Sequence, residues 1–183
     1  MARASPHQLD VLITLRNEVM TVMEDVGLLD AEQRNLLLDV PLGVLRSNST
    51  QRHGVTRWKA DQDGQLTVEV VDLNPHLLNE AWQDYAAFVL FHEFLHVMGY
   101  RAHDRVFRTL ESMWPDAEAS SRGKAFTHAR RMARATWHWV CSTCDERILD
   151  SGVAAVGTCA GDAERSWSTC PVRTLNEILA FYP

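Results

Sequence analysis

No cysteine occurs before residue 141, and the 183 residues include only 9 glycines and 6 prolines. That scarcity excludes collagen-like and low-complexity classes. Long apolar runs are also missing. The longest near the middle is Ala86 to Phe91, far short of the roughly 20 residues that a membrane span needs. Asp10, Arg16 and Glu18 interrupt the N-terminal stretch before a secretory apolar segment can form. The expectation is therefore a soluble, cytoplasmic protein with no membrane partner. Basic side chains are in deficit, with 18 Lys+Arg against 24 Asp+Glu and a formal charge of −6. At first sight this excludes a strongly basic nucleic-acid binder. What the chain does have is a 46% hydrophobic content, which excludes disorder. Its length suits one domain, or one domain with a small appendage, and allows a substantial core.

Hydrophobic periodicity predicts a helix over Leu9–Val26, stopped by Gly27. Asp30, with Gln33 three residues on, predicts the capped start of a second helix that must end before Pro41. A polar stretch, Arg46–Arg52, follows. Alternation in Val55–Ala60 and Leu66–Leu73 around Asp61-Gln62-Asp63-Gly64 predicts a β-hairpin. Asn74-Pro75 reads as a cap and first helical position. Residues from about Glu80 to Met98 are apolar almost all round, the pattern of a buried helix, with Gly99 as its stop. Asp104–Met113 predicts a further helix, with Phe107, Leu110 and Trp114 on one side. A basic helix is expected from about Lys124 to Thr136, followed by a turn-rich, cysteine-bearing tail.

The buried helix carries His92-Glu93-Phe94-Leu95-His96. Two histidines at i and i+4 share a helix face, so their ring nitrogens can meet on one Zn²⁺. Glu93 is then placed to act as general base and afterwards as acid. A chain of this composition holds one such match by chance in about 2% of cases, so the bland alternative of two hydrogen-bonded core histidines carries little weight. His103 is the candidate third ligand. In a continuous helix it would lie about 10.5 Å further along the axis than His96, too far to share a metal. Gly99 permits a left-handed turn that folds the chain back. Alone, His103 reads as a surface histidine; behind HExxH and Gly99 it completes the three-imidazole pattern of catalytic zinc sites.

The run HEFLHVMGYRAHDRVF resembles the metalloprotease core of the SprT-like (Spartan) family: HExxH, a third histidine after a variable gap, then His-Gly or His-Asp and x-x-Phe. His103-Asp104-Arg105-Val106-Phe107 fits that last element. The similarity extends over about residues 44 to 175, taking in the hairpin upstream and Trp137-x-Trp139-Val140-Cys141-x-x-Cys144 downstream. Metzincins are the nearby alternative, but their third histidine follows the second by six positions, and here the interval is seven. Met113, the residue available for a Met-turn, sits in a helical pattern. The resemblance implies an α+β fold. It comprises a minimal zincin-type core at 46–136 and then a small zinc-ribbon-like module at 137–183; outside the resemblance, residues 1–45 are expected to form N-terminal helices packed on the core.

Within that module Cys141 and Cys144 form a zinc knuckle, positioning two thiolates on one turn. A regular ribbon would close with a second such pair, but Arg173 stands where the fourth ligand is expected after Cys170. Two readings remain open. One is a second, structural zinc held by Cys141, Cys144, Cys159 and Cys170; the other is a decayed module with free thiols. Trp137, Trp139 and Trp167 serve either as packing for so small a module or as stacking platforms for single-stranded nucleic acid.

The net charge divides unevenly. Residues 1–98 carry 7 basic and 14 acidic side chains, residues 99–140 carry 8 and 4, and residues 141–183 carry 3 and 6. The one positive segment follows the HExxH helix: Arg101, Arg105, Arg108, Arg122, Lys124, Arg130, Arg131 and Arg134. It is either a solvated helix face or a local, salt-sensitive contact for a nucleic-acid backbone.

The family resemblance implies a zinc endopeptidase acting on proteins bound or cross-linked to single-stranded or structured DNA, with nucleoid association and proteolysis restrained until DNA is engaged. Tyr100 and Arg101 are the nearest candidates for oxyanion stabilisation, and a monomer is the default expectation. The contrasting class is a zinc-stabilised DNA-binding or regulatory protein with an idle protease site. Glu93 separates the two, because a structural site needs no general base.

Overall fold

Ser5 and Gln8 open helix α1 (Pro6–Asp25) with reciprocal side-chain-to-backbone hydrogen bonds, and Pro6 occupies its first turn. This capping box starts the helix three residues before the expected Leu9. The computed structural model describes residues 4–135, 137–141, 147–150 and 167–171. Together they form an α+β structure of five α-helices and two three-stranded sheets. The chain divides into two units, residues 1–124 and 125–183.

In the first unit, α2 (Ala31–Asp39) has the predicted Asp30–Gln33 capping box and ends before Pro41. Strand β2 (Gly54–Ala60) and strand β3 (Leu66–Leu73) form the predicted antiparallel hairpin. Asp61 accepts from the backbone of Asp63 and Gln65 inside the turn. The register slips by one between Arg57 and Trp58. A third strand, β1 (Leu42–Val44), pairs parallel to β3, giving the order β1-β3-β2 and leaving β2 on an edge. Nothing in the sequence announces β1, because three residues are too few to display a period of two.

Asn74 is fully buried and ties the polar loop to the sheet. Its amide donates to the Ser49 and Arg52 carbonyls, and its carbonyl oxygen accepts from the His76 backbone. The following residues form two 3-10 turns, Pro75–Leu78 and Glu80–Trp82, so the long helix α3 begins later than expected, at Gln83–Val97. Helix α3 is buried on nearly every side, packing against α1, β2, β3 and α4 (Arg105–Glu111). Leu12, Val19 and Met23 of α1, Leu90, Phe91, Phe94 and Leu95 of α3, and Val71 and Leu73 of β3 are among the fully buried side chains. Burying such a side chain stabilises by roughly 1.5–3 kcal/mol, which is how so apolar a helix is held.

Helix α5 spans Arg122–Met132, starting before and ending earlier than the expected Lys124–Thr136. Beyond it the backbone bonds shorten to i→i−3, from Arg134 to Arg131 and from Ala135 to Met132, and the helix unwinds. The second sheet contains β4 (Trp137–Cys141), β5 (Arg147–Asp150) and β6 (Trp167–Pro171), all antiparallel in the order β5-β4-β6. Among the described residues no helix is long and apolar enough to cross a membrane.

Candidate metal centre

Helix α3 places His92 and His96 one turn apart and then stops at a Schellman motif. Tyr100 N–H donates to the Leu95 carbonyl, Gly99 N–H donates to the His96 carbonyl, and Gly99 has φ of 101°. The chain reverses there, as the glycine predicts. Asp104 then caps α4, accepting from the Phe107 N–H at 2.9 Å. Between these two caps His103 returns to the face of α3.

His103 Nε2 lies 3.1 Å from His92 Nε2 and 3.1 Å from His96 Nε2. Ligands on tetrahedral zinc, at Zn–N of about 2.05 Å, are about 3.3 Å apart. The other ring nitrogens are committed elsewhere: His96 Nδ1 to the Tyr100 carbonyl at 2.7 Å, His92 Nδ1 to Glu111 Oε1 at 2.6 Å. A carbonyl only accepts, so the His96 proton sits on Nδ1 and its Nε2 is bare. The same holds for His92 against a carboxylate. One proton on His103 Nε2 can serve only one of these two lone pairs, whereas a cation satisfies all three. Burial, outweighing the hydrogen bonds from each ring to its acceptor, lowers the pKa of both His92 and His96, which favours neutral, ligating imidazoles. Among the described residues these three histidines form a group able to hold a metal ion. The ring of Phe107, fully buried, lies 4.9, 4.8 and 4.7 Å from the rings of His92, His96 and His103 and acts as their common floor.

Glu93, one residue after His92, turns toward edge strand β2 and is 5% exposed. Thr56 Oγ1 donates to Glu93 Oε2 at 2.8 Å. Burial raises the Glu93 carboxyl to about 7, against the opposing effect of the Thr56 hydrogen bonds. Room for the side chain comes from Gly54: a Cβ there would stand 2.7 Å from Glu93 Oε1 and 2.9 Å from Val89 Cγ1.

Glu111 lies in the last turn of α4. Its Oε1 accepts from His92 and its Oε2 accepts from Arg108 at 2.6 Å. Burial alone would raise this carboxyl, but His92 and Arg108 together hold it below the ordinary range. Sequence reasoning missed Glu111, Thr56 and Gly54. The available signal for Glu111 was its position four residues after Phe107, on the same face of α4.

Of the basic residues, Arg108 is thus engaged at the centre, and the Arg101 guanidinium sits 4.9 Å over the Trp58 ring. Tyr100, an oxyanion candidate, contributes its backbone carbonyl to His96. Arg105 and Lys124 are exposed, while Arg122 bridges Asp84 and Asp116. Arg130 and Arg131 lie on α5, with Arg134 just after it. Cys141 pairs in register with Trp167 across β4 and β6, and Cys170 pairs with His138. Cys144 and Cys159 fall outside the described residues, and the expected four-cysteine site lies partly outside them. Comparison with protein-family models, with curated proteins and with solved structures finds no match for this chain.

Proposed function

We propose that this chain is a zinc-dependent endopeptidase of the SprT-like kind, acting on proteins bound or cross-linked to DNA. The observation that carries the reading is the meeting of the Nε2 atoms of His92 and His96, on the helix that also bears a buried glutamate, with that of His103 from the segment beyond it. A zinc ion there supplies Lewis-acid polarisation of a scissile carbonyl and of water. The remaining chemistry falls to the chain. Thr56 fixes Oε2 of Glu93, and Oε1 is the oxygen left to exchange a proton. Glu93 takes a proton from water as it attacks the carbonyl carbon, then delivers it to the nitrogen as the peptide C–N bond breaks. Both halves of that exchange fall to the one carboxyl, whose Oε2 the Thr56 hydroxyl holds in place.

The DNA side of the proposal rests on the motif resemblance and on the positive segment 99–140, which begins where α3 ends. Cys141, Cys144, Cys159 and Cys170 are proposed as a second, structural zinc site in the module that follows. Against the reading of an idle site stands Glu93 itself, a buried carboxyl that a structural centre has no use for.

Purified full-length protein should cleave a DNA-bound protein substrate when zinc and DNA are both present. Glu93→Gln should lower the rate by about 10²-fold or more while keeping its zinc. Cleavage by Glu93→Gln at the wild-type rate, or a wild-type protein that never cleaves, would refute the proposal.

A further inference from the structure

We infer that Glu111 is the positioning residue of the histidine centre, fixing His92 in the tautomer and orientation that ligation requires. The inference rests on the metal-binding reading of His92, His96 and His103. His96 has a backbone acceptor, supplied by the turn that follows Gly99. His92 has no such neighbour on its own helix, and its Nδ1 is met by a side chain from α4, nineteen residues away in sequence. Glu111 Oε1 accepts a hydrogen bond from Nδ1–H at 2.6 Å, so the Nε2 lone pair is left bare and aimed at His103 Nε2.

The carboxylate is itself held. Arg108, one turn earlier on α4, donates to Oε2 at 2.6 Å, and Phe107 fixes the distance between α4 and the three rings. The chain Arg108–Glu111–His92 therefore carries the position of α4 into the direction of one ligand. A carboxylate behind a histidine also makes it a better donor to a cation, and loss of such partners commonly weakens metal binding 10- to 100-fold. Glu111→Gln retains an acceptor for Nδ1 but loses the charge and the pairing with Arg108. Glu111→Ala loses the acceptor altogether, which frees His92 to carry its proton on Nε2.

The test is Zn²⁺ affinity of the full chain, by competition with a chromophoric chelator, together with the visible spectrum of the Co²⁺-loaded protein. The spectrum separates a histidine centre from a cysteine site, because thiolate ligands add charge-transfer bands. Wild type should bind Zn²⁺ at the histidine centre. Glu111→Gln should bind it about 10-fold more weakly, and Glu111→Ala about 100-fold more weakly with altered Co²⁺ bands. Glu111→Asp should recover part of the loss, which a packing role for α4 would not predict. Equal affinity and unchanged Co²⁺ bands in Glu111→Gln and Glu111→Ala would overturn the inference while leaving the metal centre standing. If Glu111→Ala fails to fold, Glu111→Gln alone decides. Wild type without a histidine-type Co²⁺ spectrum would overturn both this inference and the function proposed above.

Discussion

Glu93 lies against two small neighbours on β2, and each restricts it in a different way. Thr56 donates to one carboxylate oxygen; Gly54 leaves space for the other. Alanine at 54 would push a methyl group to 2.7 Å from Oε1 and 2.9 Å from Val89 Cγ1, well inside contact distance. Both neighbours are packed inside the first unit, so neither can yield cheaply. Gly54→Ala should therefore lower stability by about 1–3 kcal/mol and reduce the proposed peptidase activity more than the proposed zinc affinity, since Glu93 is displaced and the histidines are not. Urea unfolding and zinc titration of the variant check the two halves, and a fully active variant would contradict the packing argument.

Tyr85 gives a pH-dependent expectation of its own. Its hydroxyl meets His53 Nδ1 at 2.6 Å, and burial, assisted by the Glu111 charge, pushes its pKa up to about 12. The phenol stays protonated in the folded protein at pH values where the unfolded chain has already ionised. Its contribution is present below about pH 10 and fades as pH rises toward 12. Wild type should lose stability relative to Tyr85→Phe between about pH 9 and about pH 11.5, by about 2 kcal/mol at most. Denaturant unfolding across that range, with parallel curves for the two proteins, would contradict it.

At the scale of elements, the centre depends on how α3 ends and α4 begins. Gly99 reverses the chain, Asp104 restarts it, and Phe107 seats α4 under the three imidazoles. Phe107→Ala should cost about 3–5 kcal/mol and, by removing the shared floor, should weaken zinc binding as well. A thermal melt unchanged from wild type would show that the ring is not the support described.

Much of this arrangement was legible in the sequence because its signals are local: i and i+4 histidines and a helix-stopping glycine. Strand β1 and Glu111 were not legible. The three residues of β1 acquire strand character only by pairing with β3, and Glu111 acquires its role only when α4 folds under α3. Helix α5 was misjudged at both ends because nothing in its polar sequence marks a stop as Gly99 does.

Across the whole molecule, charge and metal ligands divide along the chain. The acidic first half supplies the core and the HExxH helix, the positive segment 99–140 begins at its end, and the cysteines come last. Arg101 and Arg108 show why net charge is a poor guide to partners: one stacks on Trp58 and the other braces Glu111. Arg105 and Lys124, which are exposed, are the better candidates for a phosphate backbone.

The claim on which all of this stands is that His92, His96 and His103 hold one zinc ion together. Elemental analysis of the purified full chain, wild type beside His103→Ala, tests it most directly. The variant should hold one zinc fewer per chain, with any cysteine-bound zinc unchanged. Equal zinc content in the two proteins would contradict it.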